Sequence, residues 1–189
     1  MMEGKIPTRE EALELFLKYN KSESLIKHGK AVEGVMRYIA KKLGEDEELW
    51  GIVGLVHDLD YEMYPDQHCQ MTKKILEEKG WHSTLIRAVL SHAWGFCTDV
   101  EPKSLMEKYL YAIDELTGLI TAVALVRPSK SIADVEVKSV KKKWKEKNFA
   151  AGANREVIQK GAEMLGISLD ELIQLTIDGM KTVANDIGL

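Results

Sequence analysis

Covalent cross-links can contribute little to this chain. Its 189 residues include two cysteines, Cys69 and Cys97, too few for a disulfide framework and in keeping with a reducing cytoplasm, although one bridge between them stays open. Proline is equally scarce. Pro7, Pro65, Pro102 and Pro128 are the only four, which leaves long intervals where helices can run unbroken. No sign of charge dominates: the net charge is −4 with a pI near 5.8, a balance that favours neither nucleic acid nor an anionic membrane as partner. Residues 1–16 lack the apolar core and cleavage site of a secretory signal. The most apolar run, residues 109–126, carries Asp114 and Glu115. Charge at bilayer depth costs about 2.5–3.5 kcal/mol per residue, so the run reads as a buried core helix. No stretch alternates with period two for long, and there is no repeat, low-complexity tract or linker. The expectation is one all-α domain over residues 1–189, placed in the cytoplasm.

What the chain does have is helix punctuation. Thr8 with Glu11 forms a capping-box pattern ahead of Leu13, Leu15, Phe16 and Tyr19. Ser22 or Ser24 opens a second helix to Leu43, stopped by Gly44. A third is expected over residues 45–60, a fourth from Pro65 to Gly80, a fifth over 83–93, and a sixth from Pro102 or Ser104 to Val126. Arg127-Pro128 breaks the pattern. The basic segment 132–149 reads as helical, followed by helices over 155–165 and from the Ser168/Glu171 box to Asp186.

Four histidines fall on the apolar sides of these helices. His28 shares a stripe with Leu25, Val32, Val35, Met36 and Ile39. His57 adjoins the face of Leu49, Ile52, Val53 and Val56, with Asp58 next. His68 precedes Met71 and Ile75 at helical spacing, and His92 follows Leu85 and Val89. His82, just past Gly80, reads as a surface residue. One inward histidine is usually a hydrogen-bonded core residue; four on separate helices point to a metal, since neutral imidazole ligates Zn, Fe, Ni or Mn. Asp114 adds a carboxylate inside the most apolar helix, where it must be protonated, paired or bound to a cation.

The order His28, then His57-Asp58, then Asp114, with the local text VGLVHDLDYE, resembles the signature of the HD superfamily of metal-dependent phosphohydrolases. Segments such as YAIDELTGLITAVALVRPSK extend the resemblance over nearly the whole chain, toward small stand-alone HD hydrolases. The resemblance implies an all-α helical bundle in which His28, His57, Asp58 and Asp114 hold a divalent ion (Mn, Ni, Co, Fe, Mg or Zn). It implies a second ion, or phosphate contact, at His68 and His92. Tyr61 stands where many signalling members carry a lysine, and the Gly-Tyr-Pro hallmark of cyclic-dinucleotide phosphodiesterases is missing, which argues against that branch.

The activity so implied is hydrolysis of a phosphoester, with a nucleotide or other small phosphorylated metabolite as substrate. Asp58 serves as ligand and catalytic residue, and Asp60, Glu62 and Asp66 are candidates for protonating the leaving group. Arg127, Lys130, Lys138 and Arg155 are candidate phosphate contacts, against the alternative of a solvated basic helix. The rival reading is a non-catalytic metal- or nucleotide-binding sensor on the same fold.

Overall fold

The computed structural model describes residues 4–189. They form ten α-helices: α1 (Arg9–Tyr19), α2 (Glu23–Leu43), α3 (Glu47–Val56), α4 (Gln70–Glu78), α5 (Ser83–Ser91), α6 (Leu105–Val126), α7 (Val137–Trp144), α8 (Arg155–Leu165), α9 (Leu169–Lys181) and α10 (Ala184–Ile187). No strand occurs among the described residues; Lys5–Trp81 and Trp94–Thr98 are isolated bridges. The fold is all-α.

The starts of these helices follow local chemistry. Thr8 and Glu11 close a reciprocal capping box on α1, as Ser104 and Glu107 do on α6. Asp46, Asn154 and Ser168 each accept a backbone N–H at the start of α3, α8 and α9. Gly44 ends α2 in the left-handed region at φ 72°. α6 is 22 residues long, and by length and composition it is the one described helix apolar enough to cross a membrane. Here it lies within the bundle, packed by α2, α5, α7, α8 and α9, with Leu110, Ile113, Leu116, Leu119 and Ile120 fully buried.

Several expected boundaries move, and the last helix, expected to Asp186, ends at Lys181 ahead of the separate α10. The third helix stops at Val56 rather than near Asp60, because Leu59 N–H bonds to Val56 O at 3.0 Å and Tyr61 N–H to Asp58 O at 3.1 Å. These three-residue closures tighten the chain into turns. The fourth helix does not begin at Pro65: residues 65–67 form one 3₁₀ turn, and α4 starts at Gln70 after Cys69 takes a positive φ of 76°. The basic segment is helical only over Val137–Trp144. Cys69 and Cys97 are free thiols.

The pairing of α2 with α3 sets the position of everything that follows. Glu33 of α2 is buried and accepts from Arg9 Nε at 2.6 Å, Arg9 Nη2 at 3.0 Å and Arg37 Nε at 3.1 Å, while Arg37 Nη1 reaches Glu48 at 2.6 Å. This network ties α1 and α3 to α2. Gly54 lets the two backbones approach: a Cβ there would lie 2.9 Å from Val32 O and 3.1 Å from the Glu33 Cα. Overpacking at such a contact costs about 1–3 kcal/mol. Gly54→Ala is therefore expected to destabilise the protein by roughly 1–3 kcal/mol. Gly118→Ala, where a Cβ would meet nothing within 4 Å, should stabilise it by about 0.5–1 kcal/mol. Urea melts of the two variants check the contrast; a neutral Gly54→Ala would show that the helices can part at no cost.

Candidate metal centre

Five segments deliver side chains to one place. α2 supplies His28, His57 caps the C-terminus of α3, and Asp58 follows it in the tight turns. His68 comes from the bend before α4, His92 caps α5, and Asp114 lies mid-way along α6. The early stop of α3 allows His57 and Asp58 to share a target, since neighbours within a helix diverge by about 100°.

Around the first centre, His28 Nε2 and His57 Nε2 stand 3.2 Å apart, and each lies 3.0 Å from Asp114 Oδ1. Asp58 Oδ2 is 3.4 Å from His28 Nε2 and 3.2 Å from His57 Nε2. One ligand atom from each of the four lies within 4.8 Å of all the others. Bonds of about 2.1 Å to a common ion give polyhedron edges of about 3.0 Å in an octahedron and about 3.4 Å in a tetrahedron. The separations here, 3.0–3.4 Å, span the range between those two edge lengths. The ring of His57 is oriented by donation from Nδ1 to the Gly54 carbonyl at 2.6 Å, which leaves the Nε2 lone pair facing inward. Thr117 Oγ1, which donates to Asp114 O at 2.6 Å, lies 3.5 Å from His28 Nδ1.

The other oxygen of Asp58 faces a second group. Its Oδ1 is 3.1 Å from His92 Nε2 and 3.4 Å from His68 Nε2. His92 Nδ1 donates to Val89 O, and His68 Nδ1 bonds Asp60 Oδ1 at 2.7 Å. Asp60 itself is fully buried and accepts Thr72 N–H through Oδ2 at 2.8 Å. The Cys69 sulfur also clusters with His68 and His92. Burial first, then the charge of Asp60, holds that thiol well above its usual pKa, so Asp58 is the better anionic partner here. Asp58 is thus placed between two nitrogen clusters, one oxygen toward each.

Electrostatics follow from this crowding. Burial works against charge on His28, but the carboxylates of Asp114 and Asp58 outweigh it and push its pKa up to about 9. His57 is likewise raised, against its burial, by Asp58 and Asp114. Burial opposes ionisation of Asp58 and Asp114, and the neighbouring His57 and His28 nonetheless hold both below the ordinary carboxylate range. The two anions thus attract protons onto the histidines unless a cation takes their place. The donor set fits a divalent ion with nitrogen and oxygen ligands.

A cavity of about 450 Å³ opens onto Asp58, His68, His92 and Asp114. Tyr61, Phe96 and Tyr111 supply aromatic wall, and Glu115 is its one carboxyl outside the ligand clusters. Burial, then the charge of Asp114, raises Glu115 to about 7. Sequence reasoning passed over Glu115 and Phe96; only the adjacency of Glu115 to Asp114 was there to find.

The expected cationic wall is corrected. Arg127 pairs with Asp134 at 3.0 Å and donates to Ser139 at 3.2 Å, Lys138 pairs with Glu136 at 3.0 Å, and Lys130 is exposed in a turn at φ 51°. Arg155 donates to the carbonyls of Glu146, Phe149, Ala150 and Ala153, stapling residues 146–153 to α8. None of the four lines the cavity. Two of the leaving-group candidates are engaged elsewhere and the third is exposed. Asp60 orients His68, Glu62 accepts the N–H groups of Lys21 and Ser22 at 2.7 and 2.6 Å, and Asp66 is exposed in the 3₁₀ turn.

A histidine whose pKa rises from about 6.5 unfolded to about 9 folded contributes stability that is complete below pH 6.5 and lost as pH climbs toward 9. Metal binding needs the deprotonated ring, so its stabilisation grows over the same interval. Chelator-treated protein should melt at lower temperature at pH 9 than at 6.5, while the increment from millimolar Mn²⁺ or Ni²⁺ should increase. Saturation at a hundred times Kd would add about 2.7 kcal/mol. An increment larger at the acid end would contradict histidine ligation.

The family model for the HD domain matches residues 25–119, a span that holds all six of these histidines and aspartates. Ribonuclease Y of Bacillus thuringiensis (strain Al Hakam) is 29% identical over 150 residues, 75% of this chain and 28% of the relative. Ribonuclease Y of Sulfurovum sp. (strain NBC37-1) is 26% identical over 164 residues, 82% of this chain and 31% of the relative. The chain spans less than a third of the length of these curated relatives. No solved structure matches it.

Proposed function

Since the chain belongs to the HD domain family, we propose that it hydrolyses phosphoesters at the centre formed by His28, His57, Asp58 and Asp114, with His68 and His92 serving a second ion or the substrate phosphate. The observation that carries this reading is Asp58 itself, with Oδ2 3.2 Å from His57 Nε2 and Oδ1 3.1 Å from His92 Nε2. A carboxylate so placed would offer one oxygen to a cation held with His57 and the other to a group held with His92.

When bound, a divalent ion supplies a water of lowered pKa and a counter-charge for phosphoryl oxygens. The chain's own residues do the positioning. Gly54 O and Val89 O fix the rings of His57 and His92, and Asp60 fixes His68. The apolar surround of α3, α5 and α6 lowers the local dielectric, which strengthens each of these interactions. Asp58 and Asp114 supply the anionic ligands.

A small phosphorylated metabolite or nucleotide suits a cavity of about 450 Å³. The relatives' name, Ribonuclease Y, stands against excluding nucleic acid on net charge alone, because a −4 total speaks to the global field and not to one cleft. RNA therefore joins nucleotides and small esters among the substrates to be tried.

Asp58→Ala should reduce phosphoester turnover by at least the roughly 10–100-fold seen when even a group supporting a metal ligand is lost, while circular dichroism stays helical. His82 caps α5 by accepting Thr84 N–H at 3.0 Å. His82→Ala should then cost about 1 kcal/mol of stability and leave turnover per folded molecule intact. Metal content and activity with Mn²⁺, Ni²⁺, Co²⁺ or Mg²⁺ are the measurements. Wild-type turnover by Asp58→Ala defeats the assignment, and tight metal binding with no turnover of any ester favours the sensor.

A further inference from the structure

The two clusters on either side of Asp58 differ in their balance of charge. The first has two carboxylates, Asp58 and Asp114, beside the imidazoles of His28 and His57. The second has the imidazoles of His68 and His92 and only the remaining oxygen of Asp58. Asp60 is committed to orientation, with Oδ1 on His68 Nδ1 and Oδ2 on Thr72 N–H. A dication held here would share one carboxylate charge with whatever the first cluster holds. Asp58 and the two imidazoles give it no anion of its own.

Cys69 stands where such an anion is needed. A ring nitrogen of His68, the Cys69 sulfur and a ring nitrogen of His92 all lie within 4.8 Å of one another. The residue is fully buried. It occupies the N-cap of α4, yet its side chain makes no capping hydrogen bond. The backbone there has φ 76°, a conformation that glycine adopts far more readily. Residues 68 and 69, neighbours in the chain, thereby contribute to one cluster.

Without an ion the thiol keeps its proton, because burial and then the charge of Asp60 oppose a thiolate. A bound cation reverses that balance, since a coordinating thiol is deprotonated outright. The location helps as well. The N-terminus of a helix favours negative charge, and α4 runs for nine residues from this cap. The other thiol, Cys97, is exposed on the cavity wall and belongs to neither ligand cluster.

We propose that His68, Cys69 and His92, together with Asp58 Oδ1, form a second metal site in which Cys69 is a thiolate ligand, selective for thiophilic ions such as Zn²⁺ and Co²⁺ over Mn²⁺ and Mg²⁺. On binding, the S–H bond breaks, the sulfur pair forms the bond to the ion, and the proton passes to water with no change of oxidation state. The inference rests on the second-ion part of the hydrolase reading and gives that ion a ligand and a preference. It does not require turnover.

Anaerobic titration of chelator-treated protein with Co²⁺, followed by absorption, tests it. Thiolate bound to Co²⁺ gives a near-ultraviolet charge-transfer band that nitrogen and oxygen ligands do not give. The band should appear in wild type and in Cys97→Ser, and should be lost in Cys69→Ser and in His92→Ala. Affinity for the second Co²⁺ should fall by at least roughly tenfold in Cys69→Ser, while the first Co²⁺ still binds. Excess Zn²⁺ should erase the band and excess Mn²⁺ should not. Circular dichroism identifies a variant that fails to fold, and His92→Ala and Cys97→Ser then decide. A wild type that binds Co²⁺ with no such band, or a band that disappears in Cys97→Ser and survives in Cys69→Ser, overturns the thiolate site. Phosphoester turnover measured alongside judges the hydrolase reading separately: a band without turnover leaves the site standing and removes that reading, and turnover without a band does the reverse.

Discussion

Two carboxylates, Asp58 and Asp114, sit amid apolar helices with imidazole nitrogens 3.0–3.4 Å away on every occupied side. Half-buried anions at that spacing call for positive charge, whether as protons on His28 and His57 or as a cation between the ligands. The bundle has to hold the donors close against their mutual crowding. It does so through the α2/α3 contact, where Gly54 removes the Cβ that would collide with the α2 backbone and where Glu33, Arg9 and Arg37 lock three helices together. Without that approach His28 and His57 could not share Asp114. The whole arrangement depends on this neutralisation in a tight space.

Helix termini do most of the aiming. His57 and His92 both cap the C-terminal ends of helices, and each donates its Nδ1 proton to a carbonyl three residues back. A ring tethered this way loses rotamer freedom before any ligand arrives, so the ordering is already part of the fold. His68 is aimed differently. It precedes Cys69, whose φ of 76° is uncommon for a residue with a side chain, and it is clamped by Asp60. Strained backbone at this point lets a short segment turn its imidazole toward Asp58 instead of continuing from the 3₁₀ turn into α4.

How much of this could be read from the letters follows from the range of the forces involved. His28, His57 and Asp114 betrayed themselves through helical register, because an ionisable group on an apolar stripe is a local pattern. The caps at Thr8, Ser104 and Ser168 were legible for the same reason. The early end of α3 was not, since the helical register of Ile52, Val56 and Leu59 continues past it and only hydrogen bonds closing over three residues mark the change. The basic residues misled in the opposite direction. Arg127, Lys138 and Arg155 lie near Asp134, Glu136 and a set of loop carbonyls, and sequence carries no distance by which to prefer those partners over a substrate. Phe96 and Glu115 reach the cavity through tertiary packing alone.

The loss of that cationic wall changes the chemistry in a consistent direction. With every nearby guanidinium committed to the scaffold, the positive charge available to a phosphate comes from whatever the aspartates and histidines hold. A site built so concentrates its attraction at one point and leaves the surrounding surface to aromatic rings, small residues and hydroxyls. Such a surface discriminates by shape and stacking more than by charge. The net charge of −4 describes the global field of the chain, whereas a ligand at this centre meets the lining of one cavity. Beside the centre the one further carboxyl is Glu115, and because burial and then the charge of Asp114 raise it to about 7, it is partly neutral at neutral pH and opposes a bound anion less than an ordinary carboxylate would.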